Sequence, residues 1–164
     1  MHAAGANLVI SDVNEHNLAR ARADFGAEIV APAQILFQDA DVLAPCAMGA
    51  ILDERTIPDI KASVIGGAAN NQLATEADGQ RLFDRHILYA PDYVINGGGI
   101  TSVSLEYMGD KTEDDVHEQI AHIPERLVEI FATADRLRKP TNVIADSMAE
   151  AIVAAAAATS KTVN

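Results

Sequence analysis

Between residue 5 and about residue 100 the chain repeats one pattern: a short apolar run, then Gly, Pro, Asn or Asp, then a more polar stretch. The spacing predicts strands near Asn7–Ser11, Glu28–Val30, Val42–Ala44, Ser63–Ile65 and Ile87–Tyr89, with a further one at Tyr93–Ile95. Helical stretches lie between some of them. The clearest is Glu15–Phe25, where Leu18, Ala19, Ala21, Ala23 and Phe25 sit among Arg20, Arg22 and Asp24, and Gly26 supplies the stop. Strands spaced by helices are joined by right-handed crossovers into a parallel sheet. Composition points the same way. Hydrophobic residues make up 49% of the chain, but aromatics only 4% and Trp is absent, so the core is built from Ala, Val, Ile and Leu. Such a core suits a parallel sheet buried beneath helices. The expected fold is therefore α/β.

From about Thr101 the pattern turns helical. Val116, Ile120, Ile123, Leu127, Phe131, Ala134 and Leu137 recur at three- and four-residue steps, forming one apolar stripe. Pro124 falls inside it, removes one backbone hydrogen bond and is expected to kink or split the helix there. Lys139-Pro140-Thr141 ends the pattern. A last helix is predicted from about Asn142 to Ala157, with Ile144, Met148, Ile152 and Ala155 inward and Lys161–Asn164 fraying.

At 164 residues the chain is one domain or a large part of one. Its formal charge of −12 argues against nucleic acid, whose phosphates demand basic patches, and against an anionic membrane surface. Cys46 is the single cysteine, so no internal disulfide forms, which fits a reducing cytoplasm. Met1-His2-Ala3 lacks a basic stretch followed by an apolar one, so no signal peptide is expected. The run Ala151–Ala158 is too short and too weakly apolar, taken alone, to span a bilayer. His2, His16, His86, His117 and His122 are dispersed, so no metal site is expected.

Four segments could carry chemistry. Leu8-Val9-Ile10-Ser11-Asp12 reads as a buried strand ending in an acid. In a dinucleotide-binding βαβ unit such an acid accepts the two vicinal ribose hydroxyls, repels a 2′-phosphate and so favours NAD over NADP. A Gly-rich phosphate loop belongs about 20 residues upstream of it. Only eleven residues precede Asp12, so the chain is expected to enter the unit after that loop. A cap or turn role for Asp12, leading into the helix through Val13-Asn14, is an equal alternative. Ala44-Pro45-Cys46-Ala47-Met48-Gly49 follows a strand, where small residues permit close approach to a ribose or simply make a turn. Ile65-Gly66-Gly67-Ala68-Ala69-Asn70-Asn71-Gln72 runs from a strand into four small residues and three amides. The small residues can let a ring or sugar reach the backbone, and the amides offer uncharged donors and acceptors. Ala90-Pro91-Asp92-Tyr93-Val94-Ile95-Asn96-Gly97-Gly98-Gly99-Ile100 carries a triple glycine that can hold unusual dihedral angles or admit a substrate. Asn96 sits at its mouth, and Ile100 and Val103 could wall a small apolar pocket.

These segments, in this order, resemble the amino-acid dehydrogenases that act on leucine, valine and phenylalanine and are related to glutamate dehydrogenase. The resemblance covers nearly the whole chain, from Gly5-Ala6 to the final helix, and includes Arg138-Lys139-Pro140-Thr141-Asn142. It implies an incomplete Rossmann-like parallel sheet flanked by helices and followed by a long C-terminal helical segment. Residues 1–110 would be a partial NAD-binding unit lacking the first strand and the Gly-rich loop, and residues 111–164 C-terminal helices packed on the same domain. The implied cofactor is NAD, with Asp12 and Val13 at the adenosine ribose and Cys46, Ala69 and Asn70 along the cofactor towards the nicotinamide. Asn96 would position the amino or keto group of an amino-acid or 2-oxo-acid substrate, and Ile100 and Val103 would line an aliphatic side-chain pocket, with leucine the first choice. Gly97 stands where the family more often has Ala. The family's catalytic lysines and aspartate belong to an N-terminal domain, so no catalytic residue is expected in this chain, and a missing N-terminal catalytic segment is the implied partner. A homo-oligomer is left open. The competing expectation is a non-catalytic remnant of the same family, serving as a binding or interaction module.

Overall fold

The structure, a computed structural model, describes residues 1–99 and 112–162. Five short strands stand where the apolar runs predict them: β1 (Val9–Ile10), β2 (Glu28–Ile29), β3 (Val42–Leu43), β4 (Val64–Ile65) and β5 (Leu88–Tyr89). Every pairing is parallel, as helical crossovers require. Val9 pairs with Glu28 and Ile10 with Ile29. Leu43 pairs with Ile65, and Ile65 with Tyr89. The ladders are two rather than one: β1-β2, and β3-β4-β5. The molecule is thus α/β, with short parallel sheets flanked by helices and a helical C-terminal segment.

Helix α1 (Glu15–Phe25) has the limits its sequence dictates. Asn14 caps it, its side chain accepting from the N–H groups of His16 and Asn17, and Gly26 ends it at φ 64° in the left-handed region that favours glycine. Helix α2 (Glu76–Asp84) opens on a capping box between Thr75 and Asp78.

Tyr93–Ile95 is not a strand. It lies in a short helix, α3 (Asp92–Ile95), which begins at Pro91. Pro91 fixes its own φ at −54°, and its carbonyl accepts from the N–H groups of Val94 and Ile95. Three apolar residues in a row do not distinguish the two states; the proline and the first-turn acid do.

Pro124 splits the predicted long helix. Helix α4 (Glu113–Ala121) stops before His122, and α5 (Ile123–Leu137) restarts with the proline in its first turn. The buried positions on α5 are Ile130 and Ala134. Ile130 lies outside the predicted stripe, and Leu137 is exposed because the chain leaves the helix one residue later, at left-handed Arg138.

The last helix, α6 (Thr141–Thr162), is longer than predicted. Thr141, Asn142, Ile144 and Ala145 are buried and Met148 half-buried, but every residue from Ala149 to Ala158 is exposed. Ile152 is 70% exposed, so Ile152 and Ala155 do not face inward as the periodicity suggests. The helix touches α2, α5 and β5 through its first turns and then runs past them. The Ala-rich run therefore belongs to a longer apolar helix. Its window Thr141–Ala158 has a mean hydropathy of 1.2, which by length and composition is enough to cross a bilayer, though its first turns are packed into the fold.

Two aliphatic clusters hold these elements. Leu43, Leu52, Ile57, Ile60, Ile65, Leu82 and Ile87 close around Tyr89 between the three-stranded ladder and α2. Ile130, Ala134, Ile144 and Ala145 join α5 to α6, with Val94 of α3 against them.

Candidate functional site

Parallel strands carry function at their C-terminal ends, and the loops leaving β3, β4 and β5 meet there. The first contact is between backbones. The Ala69 N–H donates to the Pro45 carbonyl at 2.9 Å, and a Cβ on Gly67 would stand 2.1 Å from that same oxygen. Gly67 is therefore small to admit Pro45 of the same chain. The expectation that this glycine lets a ring or sugar reach the backbone is corrected: Pro45 fills the space.

The loop after β4 is gripped from inside. Gln72 is fully buried, and its Nε2 donates to the carbonyls of Gly67 and Ala69 at 2.8 and 2.9 Å. Its Oε1 is buried, with no hydrogen-bond partner among the described residues. Asn71 adopts φ 52°, in the left-handed region, and its carbonyl accepts from Ala50 N–H. The Asn71 N–H donates to Asp92 Oδ2 at 2.7 Å.

From the β5 side, α3 delivers Asn96. Its Nδ2 donates to Asn70 Oδ1 at 2.6 Å and lies 3.4 Å from the Ala68 carbonyl. The two amides singled out from sequence, 26 residues apart, thus meet across the strand tips. Among the described residues, Asn96 Oδ1 and Asn70 Nδ2 have no hydrogen-bond partner, leaving one acceptor and one donor side by side. Gly97–Gly99 do not use left-handed dihedral angles. Among the described residues, nothing lies within 4 Å of where a Cβ on Gly99 would stand.

Around the amide pair, tyrosines tie the elements together. The Tyr89 hydroxyl donates to Asp92 Oδ1 at 2.6 Å, and the Tyr89 carbonyl accepts from Thr141 Oγ1 at 2.6 Å. Tyr93 donates to Asp146 Oδ1 at 2.6 Å and reaches the Asn142 carbonyl at 3.2 Å, fastening α3 to α6. Burial, reinforced by the neighbouring carboxylates, holds both phenols well above the ordinary tyrosine value.

Asp12 stands at the tip of β1, on the other ladder. Its Oδ1 accepts from Asn14 N–H at 2.9 Å and its Oδ2 from Asn17 Nδ2 at 3.0 Å. The Asn14 bond first, and the Asn17 bond second, hold its carboxyl below the ordinary value, so it is anionic at neutral pH. The turn role foreseen for Asp12 is present, while the helix cap itself is Asn14. Each carboxylate oxygen keeps a further lone pair for a hydroxyl donor. Val13 beside it is 93% exposed. Cys46 is exposed on the loop after β3. No hydrogen bond among the described residues joins Asp12, Val13 or Cys46 to the Asn70–Asn96 pair. Ile100 and Val103 lie outside the described residues. A cavity of about 350 Å³ lined by His2, Leu8, Phe25 and Glu28 opens at the N-terminal ends of β1 and β2, away from these tips.

Sequence reasoning passed over Asp92 and Tyr89 as site residues and read Gln72 only as one of three amides. The available signals were an acid directly after Pro91 at a helix start and an amide followed by the apolar Leu73-Ala74.

The family model for glutamate/leucine/phenylalanine/valine dehydrogenase matches residues 6–162. Leucine dehydrogenase of Geobacillus stearothermophilus is 43% identical over 150 residues, which is 92% of this chain and 41% of that protein. L-tryptophan dehydrogenase of Nostoc punctiforme is 41% identical over 151 residues. The crystal structure of the Nostoc enzyme superposes with a TM-score of 0.87, covering 91% of this chain and 44% of that one. A hetero-hexameric glutamate dehydrogenase from Thermus thermophilus shares the fold at a TM-score of 0.61 and 20% identity. The chain spans about two fifths of the length of the curated relatives it matches.

Proposed function

Because the chain belongs to the glutamate/leucine/phenylalanine/valine dehydrogenase family, we propose that it is the cofactor-binding part of an NAD-dependent L-amino-acid dehydrogenase acting on an aliphatic substrate, leucine first. In the reaction an L-amino acid, NAD⁺ and water give a 2-oxo acid, ammonium, NADH and a proton. The observation that carries this reading is the Asn96–Asn70 hydrogen bond at the C-terminal tips of β5 and β4. It places an amide acceptor and an amide donor together where parallel α/β sheets bind their ligands.

Asp12 would hold the adenosine ribose. Its carboxylate is ionised, retains acceptor capacity on both oxygens and repels a 2′-phosphate. Val13 would flank that ribose. Cys46, Ala69 and Asn70 would lie along the cofactor, whose nicotinamide supplies the hydride acceptor when bound. Asn96 Oδ1 would accept from the substrate amino group and orient the Cα–H bond. Ile100 and Val103 are proposed for the aliphatic pocket on the family resemblance alone. The general base and the carboxylate-binding cations are assigned to another segment of the whole protein.

The test is titration of the purified chain with NADH and with NADPH, followed by nicotinamide fluorescence. NADH is expected to bind more tightly, and Asp12→Asn to weaken it about tenfold, the worth of one charge-assisted hydrogen bond, while narrowing the gap to NADPH. Absence of NADH binding, or equal affinity for NADPH, would overturn the reading. Binding together with leucine-dependent NADH production by the whole protein supports the full proposal. Binding without turnover by the whole protein would reduce it to a binding module.

A further inference from the structure

The left-handed turn at Asn71 leads to a residue outside the set that touches cofactor or substrate. A residue with a Cβ adopts positive φ at a cost, and keeps it where its surroundings over-determine the conformation. Asn71 is held through both peptide groups that flank its Cα: its carbonyl accepts from Ala50 N–H, and its own N–H donates to Asp92 Oδ2 at 2.7 Å. Asp92 is 6% exposed and takes the Tyr89 hydroxyl on its other oxygen at 2.6 Å. No Lys or Arg among the described residues forms an ion pair with it. A buried carboxylate served by hydrogen bonds alone is costly to maintain. Its position relates it to both halves of the amide pair. Its side chain fixes the residue after Asn70, and its main-chain carbonyl accepts from Asn96 N–H at 2.9 Å, one helical turn on.

We infer that Asp92 is a positioning residue: its buried carboxylate holds the left-handed turn at Asn71 and thereby sets Asn70 against Asn96. The catalytic relevance of that setting rests on the reading of the Asn70–Asn96 pair given above. The geometric statement stands on the hydrogen bonds alone. Asparagine can replace the carboxylate, because its oxygen accepts from Asn71 N–H while its amide donates to Tyr89, whose hydroxyl rotates to accept.

The experiment compares the wild-type chain with Asp92→Ala, Asp92→Asn and Tyr89→Phe. Leu82→Ala, on α2, is a control that lowers stability from the core at a residue with no backbone hydrogen bond to the loop among the described residues. Three quantities are read: exchange of the Asn71 backbone amide, the side-chain amide resonances of Asn70 and Asn96, and NADH affinity. Asp92→Ala is expected to speed Asn71 exchange about tenfold beyond what Leu82→Ala produces at matched stability, to shift both side-chain resonances, and to weaken NADH about tenfold. Asp92→Asn is expected to restore all three to within about threefold of wild type. If Asp92→Ala does not fold, Tyr89→Phe, which removes one bond of the two, carries the test and is expected to move the same resonances part of the way. The inference fails if the Asn70 and Asn96 resonances stay in place in a folded Asp92→Ala or Tyr89→Phe protein. It also fails if Leu82→Ala moves them equally. A wild-type chain that ignores NADH defeats the proposed function and leaves the two magnetic-resonance readouts to decide this inference. A chain that binds NADH while the resonances stay fixed does the reverse.

Discussion

Asp53 shows how a single half-buried side chain records its local geometry. Its carboxyl accepts from the Thr56 N–H first and from Arg55 second, and is held down from 3.8 to about 2. A carboxyl whose folded pKa is depressed contributes stability that is present above its unfolded value and is lost as pH falls through the folded one. The contribution of Asp53 is therefore intact at pH 5 and disappears between about pH 4 and pH 2. Asp53→Asn is expected to melt with a shallower loss of stability over that interval than wild type, measured by thermal unfolding at a series of acid pH values. The same rule has the opposite sign for Tyr89. Its folded pKa is raised above 10.0, so its contribution is complete below pH 10 and declines above it. Tyr89→Phe should flatten the alkaline limb of the stability curve. Neither side chain announces this in the sequence. The Asp53 turn is short-range, but the Tyr89–Asp92 bond depends on the bend at Pro91 that aims the carboxylate back at the ring.

At the scale of elements, the loops after β3 and β4 are one packed unit. Gly67 lies against the Pro45 backbone, with a Cβ 2.1 Å from the carbonyl oxygen and 2.5 Å from the nitrogen. Backbone cannot rotate away as a side chain can. Gly67→Ala is expected to cost about 3 kcal/mol, read as a fall in the urea midpoint at unchanged slope. Legibility at this scale follows how local the deciding contacts are. Helix α1 was readable at both ends because Asn14 and Gly26 act within one turn. The strand tips were readable because the apolar runs end there. Tyr93–Ile95 was not, since three apolar residues fit strand or helix and the choice lay with Pro91 and Asp92. Ile152 was not, because periodicity says which residues share a face and only neighbouring elements say whether that face is covered. The Asn70–Asn96 contact was half readable: each amide stood at a strand tip, but their meeting depends on α3 folding back over β4.

At the scale of the whole molecule, burial is uneven. The three-stranded ladder and α2 enclose the larger core cluster, and α5 and α6 the smaller one. Across residues 1–40, Ala27 is the one buried residue, and no residue of α1 is buried. Among the described residues, that first unit, β1-α1-β2, shares no ladder with the remainder. Little apolar surface resists its separation, so it should detach and refold at far lower cost than the molecule as a whole. A protease added sparingly under native conditions is expected to nick within residues 7–40 first and leave the β3-β4-β5 unit intact, visible by mass spectrometry. Cleavage appearing first between Leu52 and Leu82 would contradict this. Asp12 belongs to the part that opens. If Asp12 holds a dinucleotide as proposed, the ligand engages a segment whose order is itself an equilibrium; saturating NADH should then protect that segment from the protease, with part of the binding energy consumed in closing it.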